Sequence, residues 1–433
     1  MIVWPYGITQ TNEYKIAIDF IRSTARDHLF ITGRPGTGKS VLLRAIKQLL
    51  GNSAVVVAPT GLSAVNAGGQ TIHSFFNLPP KIIDSNDIRR GRNGRIMREI
   101  DYLIIDEISM VRSDMMWGID QCLRINRECL EESFGGIRLV LFGDLHQLSP
   151  VVRGEEAQLI EKKFGGPYFF CIPSLREGIG IKYLELSQVF RQTDELLKDI
   201  LDSIRSGSLT SKYLDVLNDR VFPIRNLSRG QSYVILTTTN STANRINLAY
   251  LNALPGETKA FNACIFGDFN VRTFPTEAEL LLKVGAKVML LRNDPDQRWV
   301  NGTIAEIVQL ETDRILVRIE GNNYEIDPVL WENRRYVIDE NKGKVVETIA
   351  GTFKQFPIRL AWALTIHKSQ GLTLDQAYID FGIKTFAHGQ AYVALSRCRS
   401  LTSIVLARPL QLKDILFDPR ASAYTNLFPS LHN

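Results

Sequence analysis

Residues 33–40 read GRPGTGKS, and no other stretch of the chain narrows the choice of fold so far. The spacing matches the phosphate-binding pattern G-x-x-x-x-G-K-[ST], whose mechanism requires the end of a strand before it and the start of a helix after it. Both flanks are present. LFIT precedes it, and VLLRAIKQLL follows, with Val41, Leu42, Ile46, Leu49 and Leu50 recurring on one face and Gly51 as a stop. Four short, nearly unbroken apolar runs, HLFITG, SAVVVAP, DYLIIDE and IRLVLFGD, each end in glycine, proline or a carboxylate. Such runs suit parallel strands covered on both faces. Their alternation with helical segments predicts a doubly wound α/β domain whose ligand sits at the carboxyl ends of the strands.

In that loop, the backbone N–H groups of Gly36, Thr37 and Gly38 can surround a β-phosphate, with Gly33 and Pro35 shaping the turn. Lys39 then neutralises the β/γ charge of ATP, and the Ser40 hydroxyl can ligate Mg²⁺. In LIIDE, residues 103–107, an apolar strand delivers Asp106 and Glu107 to its end. Beside a phosphate loop, Asp106 is expected to hold the Mg²⁺, directly or through water, and Glu107 to activate the attacking water. FGDLHQLSPV, residues 142–151, leaves Gln147 just beyond another strand, where its amide can sense the γ-phosphate or position water. Arg191 in LSQVFRQ and Arg397 in VALSRCR follow apolar segments of the second half. Either is a cation for charge developing on the γ-phosphate, arriving from a second domain, or a structural ion pair.

The 433 residues allow two to three domains. Hydrophobic residues make up 45% and charged residues 22%, the balance of an ordinary soluble protein, and no apolar run reaches the ~20 residues of a membrane span. No basic region precedes the first apolar residues, so no secretory signal is expected. Cysteines 122, 129, 171, 264 and 398 lack C-x-x-C spacing and read as reduced thiols with no metal or disulfide role. The net charge of +5 is compatible with a polyanionic partner and identifies none.

The texture changes in the second half. YVILTTT near residue 233 suggests a strand of a second α/β unit, whereas about 268–355 alternates polar and apolar residues, as in TIAEIVQL and RILVRIE. That segment predicts a small antiparallel barrel or sheet inserted into the second domain, with a hairpin turning at Asn341, Lys342 and Gly343. Residues 1–185 and 186–433 are the expected domains.

GRPGTGKS, APTGLSAVNAGGQTIHSFF, LIIDEISMVRSDMM, FGDLHQLSPV, LSQVFRQ, LTIHKSQGLTLD and YVALSRCR stand in that order. Together they resemble the petite-integration-frequency (PIF) family of superfamily-one DNA helicases over about residues 28–400. The resemblance implies two RecA-like motor domains, each with an insertion: a small wedge, here about 77–99, in the first and a barrel-like one in the second. It implies ATP-driven 5′-to-3′ movement on single-stranded DNA, with tailed or forked duplexes and G-quadruplexes as further partners. Roles in replication, repair, recombination or telomere maintenance follow from the same resemblance. It also implies that residues 58–76 lie under the single strand, with Pro59, Thr60, Gly61, Thr71 and His73 near phosphate or sugar and the small residues admitting phosphates to the backbone. Phe75 and Phe76 either stack on bases or belong to the core. Thr237, Asn240, His367, Lys368 and Ser369 would contact DNA from the other lobe, with Gln370 and Gly371 linking DNA to nucleotide.

There are departures. The family glutamine that reads adenine falls on Tyr14 in an ungapped alignment, with Gln10 four residues earlier as the alternative reader. Arg89, Arg90, Arg92 and Arg95 in the wedge segment are either backbone contacts or a solvated face. Short termini lead us to expect a compact, monomeric bacterial or viral motor in the cytoplasm, with the nucleus or mitochondrion as the compartment of a trimmed eukaryotic chain. A partner-dependent translocase subunit and a nucleotide-switched single-strand-binding module are the alternatives from other classes.

Overall fold

The computed structural model describes residues 4, 10–150, 152, 154–176, 180–223, 233–296, 298–340, 344–383, 385, 387–428 and 431. The expected turn at Asn341, Lys342 and Gly343 lies outside them. Two compact units form: Met1–Phe190 with Asn333–Ala350 and Asp418–Asn433, and Arg191–Glu332 with Gly351–Phe417. The division falls five residues after the expected one, and two later segments join the first unit.

The first unit is built on six parallel strands: β1 (His28–Gly33), β2 (Ala54–Ala58), β3 (Gln70–Thr71), β4 (Tyr102–Ile105), β5 (Arg138–Phe142) and β6 (Ile181–Leu186). Their spatial order is β3-β2-β4-β5-β1-β6. The unbroken apolar runs reflect two covered faces. Phe30, Val55, Val57, Leu103, Ile105, Leu139 and Leu141 point into one core, and Leu29, Ile31, Val56, Ile104, Val140 and Phe142 into the other. Burying each such side chain contributes about 1.5–3 kcal/mol before entropy is counted. Helix α1 (Asn12–Arg22) leads into β1, α2 (Lys39–Leu50) follows β1, α3 (Gly61–Ala67) follows β2 and α4 (Ile72–Phe76) follows β3.

Segment 333–350 reaches this core by side chains far apart in sequence. The N–H of Val56 donates to the Tyr336 hydroxyl at 3.1 Å, and Lys47 lies 3.1 Å from Glu347. Tyr336 also meets the Phe75 ring edge-on at 6.1 Å. Residues 418–428 do the same, with Tyr424 stacked on Phe170 at 4.0 Å.

The second unit has a four-stranded parallel sheet. It uses β7 (Val234–Thr237) and, later in the chain, β18 (Ala363–Thr365), β19 (Ala377–Asp380) and β20 (Ile404–Leu406), ordered β18-β7-β19-β20. Between β7 and β18 lie β8 (Lys259–Asn262), β9 (Cys264–Gly267), β10 (Glu279–Leu282), β11 (Lys287–Leu290), β12 (Ile304–Leu310), β13 (Ile315–Ile319), β14 (Asn322–Ile326), β15 (Val329–Asp339), β16 (Lys344–Gln355) and β17 (Ile358–Leu360). Five of these form the antiparallel sheet β14-β13-β12-β11-β17, as the alternating pattern predicts. Its inward residues include Val288, Ile307, Ile315, Val317 and Ile358.

Candidate nucleotide and nucleic-acid site

The loop 33–40 joins β1 to α2. Gly36 and Gly38 both have φ of 84°, a left-handed conformation that glycine adopts without a Cβ penalty. Gly38 is the residue from which α2 starts, and no side chain caps that end. The first N–H groups of the helix are therefore available to an anion. Lys39 curls back over the loop, its ammonium donating to the carbonyl oxygens of Gly33 at 2.5 Å and Arg34 at 3.1 Å. Pro35 and Thr37 are buried beneath, and Ser40 is exposed at the first turn of α2.

Asp106 and Glu107 follow β4 directly. The Glu107 N–H donates to Asp106 Oδ1 at 2.9 Å, and Glu107 itself sits at φ 49°, ψ 44°. A non-glycine residue in the left-handed region stores strain of about 1–3 kcal/mol, and such strain clusters at functional positions. Burial raises the Asp106 carboxyl above its ordinary range, against the Glu107 N–H and the Lys39 and Arg44 charges that lower it. A desolvated carboxyl beside a hydroxyl-bearing loop suits a hard divalent cation, whose charge would reverse that shift. Gln147 is buried after β5, where its Nε2 donates to Asp144 Oδ2 at 3.2 Å and its N–H to the Asp144 carbonyl at 2.9 Å. Asp144, absent from the expected site, is the brace that orients Gln147. Gln10 is exposed just ahead of α1. Tyr14 lies against the phosphate loop instead: its hydroxyl donates to the Gly38 carbonyl at 3.1 Å.

On the same edge, Thr60 caps α3 and Thr71 caps α4, accepting from the N–H groups of Ser63 and Ser74 at 3.2 Å each. Pro59, Gly61 and His73 are partly exposed, and His73 Nδ1–H donates to the Leu78 carbonyl at 3.1 Å. The adjacent glycines Gly68 and Gly69 have a structural reason. Gly68 ends α3 at φ 70°, and a Cβ on Gly69 would collide with the Val56 carbonyl, so β3 pairs with β2 only because residue 69 has none.

Phe75 and Phe76 require a correction. They are 1% and 3% exposed, packed edge-to-face at 4.9 Å inside the core, and their rings are unavailable to bases. Packing against Tyr336 and the β2 side chains outweighs exposure of two large apolar rings. Arg89, Arg90, Arg92 and Arg95 are exposed, with Arg90 paired to Glu128 at 3.0 Å.

In the second unit, Arg191 donates to the Gly371 carbonyl at 2.9 Å and to the Ser396 carbonyl at 3.4 Å. Burial lowers its guanidinium to about 10, with Arg399 adding to the fall and Tyr392 opposing it. Arg397 is fully buried and donates to the carbonyls of Val393 at 2.8 Å and Ser369 at 3.0 Å and to the Ser396 hydroxyl at 2.8 Å. These bonds brace loop 369–372 from within the second unit. Ser369 and Thr237 are buried as well, and the Ser369 hydroxyl is committed to the Ile366 carbonyl at 2.8 Å, so neither side chain offers a DNA contact. Asn240 and Lys368 are exposed and His367 partly so.

Comparison with known proteins agrees with these motifs. The family described as PIF1-like helicase matches residues 7–209, and the domain described as the DNA helicase Pif1 2B domain matches 269–310. The ATP-dependent DNA helicase Pif1 of Bdellovibrio bacteriovorus is 31% identical over 98% of this chain and 94% of its own length. Two crystal structures of Bacteroides Pif1 are each 34% identical over 97% of this chain. The complex with ADP-AlF4 superposes with a TM-score of 0.88 over 96% of its chain, and the complex with single-stranded DNA with 0.67 over 97%. With identity of this extent across nearly the whole length, the chain belongs to the PIF1-like helicase family.

Proposed function

We propose that this protein is an ATP-dependent DNA helicase that moves 5′ to 3′ along single-stranded DNA and unwinds tailed or forked duplexes and G-quadruplexes, acting as a monomer in DNA replication, repair, recombination or telomere maintenance. One observation carries the reading: the carboxyl ends of three adjacent strands present Lys39, Glu107 and Gln147 together with an uncapped helix start, in a chain of the PIF1-like family.

Chemically, loop 33–40 holds the β- and γ-phosphates through its N–H groups and Lys39. Glu107 accepts a proton from the attacking water while Gln147, fixed by Asp144, aligns that water with the γ-phosphorus. The P–O bond to ADP breaks as the new P–O bond forms, giving ADP and phosphate. Ser40 and Asp106 supply oxygen donors for Mg²⁺, which when bound neutralises phosphate charge. Arg191 is proposed to sense the γ-phosphate, and through Gly371 its state reaches the loop that carries His367 and Lys368. Exposed Thr60, Asn240 and Lys368, with His73 and His367, are the proposed backbone contacts.

Unwinding of a labelled duplex with either a 5′ or a 3′ tail tests the reading. ATP-dependent strand separation confined to the 5′-tailed substrate is expected. Unwinding of the 3′-tailed substrate alone would refute the polarity, and ATP turnover without unwinding of either would favour a partner-dependent translocase.

A further inference from the structure

Beneath the phosphate loop, the Tyr14 ring is almost wholly enclosed, 2% exposed, among Ile18, Leu42 and neighbouring core residues, with Trp4 stacked flat on it at 5.6 Å and 8°. Helix α1, which carries it, is held at its start by a Thr11 cap and by Glu13, whose carboxylate accepts from the Ser187 hydroxyl at 2.6 Å. The Tyr14 hydroxyl donates to the Gly38 carbonyl at 3.1 Å, with the Thr37 carbonyl 3.4 Å away as a second acceptor. A Cβ on Gly38 would fall on the hydroxyl oxygen. Loop and phenol are thus fitted to each other.

Those two carbonyls matter because a trans peptide is planar and its N–H points opposite to its C=O. The Gly38 carbonyl also accepts from the N–H groups of Val41 at 2.9 Å and Leu42 at 3.1 Å, and the Tyr14 hydroxyl adds to that hold. Carbonyls of Thr37 and Gly38 kept on the Tyr14 side leave the N–H groups of Gly38 and Lys39 facing away from it, toward the space an anion would fill. Burial and the neighbouring Glu13 charge keep the phenol protonated, so it remains a donor.

We infer that Tyr14 is a positioning residue of the nucleotide site, whose hydroxyl pre-aims the phosphate-binding N–H groups and acts on the phosphates of any nucleotide, whatever its base. The inference rests on the proposed nucleotide site and adds to it a residue and a base-independent mode of action. The hydroxyl is spent on loop backbone and is not free to read the edge of a base.

Tyr14→Phe removes only the oxygen. Dissociation constants of the full-length chain for ADP, GDP and inorganic pyrophosphate, the last measured by competition against a fluorescent ADP, should all weaken by a common factor of roughly five- to twentyfold. In steady state the KM for ATP should rise by a similar factor with kcat within about twofold, because the loop is set before the chemical step. Loss confined to the two nucleotides, with pyrophosphate unaffected, would make Tyr14 a base contact and overturn the inference, as would unchanged affinity for all three. A wild-type chain that binds no ADP would remove the nucleotide site and this inference together. As a second check, Gly38→Ala should weaken ADP binding less in the Tyr14→Phe background than in wild type, since the atom it strikes is gone. Strictly additive losses contradict the fitted contact.

Discussion

The Arg191 guanidinium donates to the carbonyl oxygen of Gly371 at 2.9 Å, tying the LSQVFRQ segment to the loop that follows His367 and Lys368. The cation proposed to sense phosphate charge is thereby bonded to backbone near the exposed lysine proposed to meet DNA. Arg191→Ala should lower single-stranded-DNA stimulation of ATP turnover about tenfold while changing DNA affinity less than about threefold. Equal losses in both would mean that Arg191 merely supports the fold of that loop.

Lys39→Ala should abolish ATP turnover and leave most DNA binding intact. The ammonium rests on two carbonyls of its own loop, so its removal strips charge from the phosphate site without opening a core cavity. Filter binding with a labelled oligonucleotide, beside a phosphate-release assay, checks both halves.

His28 gives a pH signature. Its Nδ1 accepts from the Leu139 N–H at 3.1 Å, which requires an unprotonated nitrogen. Burial, helped by the Arg138 charge, lowers it to about 4, against Asp27 and Asp120 which raise it. The unfolded histidine titrates near 6.5. Between those values the unfolded chain binds the extra proton, so the contribution is present above pH ~6.5 and is lost as pH falls toward about 4. Going from pH 7 to 5 should cost about 1–2 kcal/mol from this group in urea denaturation. His28→Asn, which keeps an acceptor, should show a shallower decline.

The Tyr336 hydroxyl accepts from the Val56 N–H, which faces the side of β2 where β3 pairs only from Val57 onward. Tyr336→Phe leaves that N–H buried without an acceptor, and about 1–3 kcal/mol of stability should go with it. Loss of amide-exchange protection at Val56, read by mass spectrometry, would mark the place. Unaltered protection would show that β2 does not depend on the segment 333–350.

What the sequence revealed and what it concealed divide by range. The loop 33–40, the acidic pair and the strands were legible because glycine conformation, strand length and apolar runs are local properties, and both faces of the first sheet are covered by ordinary α/β connections. The pairing of Tyr336 with Val56 spans 280 residues and leaves no local trace. Phe75 and Phe76 carry no mark of which side of a short helix faces the core, and the answer came from Tyr336 and β2. Gly69 reads as a phosphate gap in a string of letters and as a close strand approach once the Val56 carbonyl is beside it. Arg397 is similar: an arginine after an apolar run gives no sign that it also braces its own loop through the carbonyls of Val393 and Ser369.

The central claim is a DNA-coupled ATPase, and the most direct measurement is steady-state ATP turnover with and without a single-stranded oligonucleotide, beside Glu107→Gln. The account predicts stimulation of about tenfold or more that disappears in the variant, because the Glu107 carboxylate is the proposed base. Turnover indifferent to DNA, or unchanged by Glu107→Gln, would contradict it.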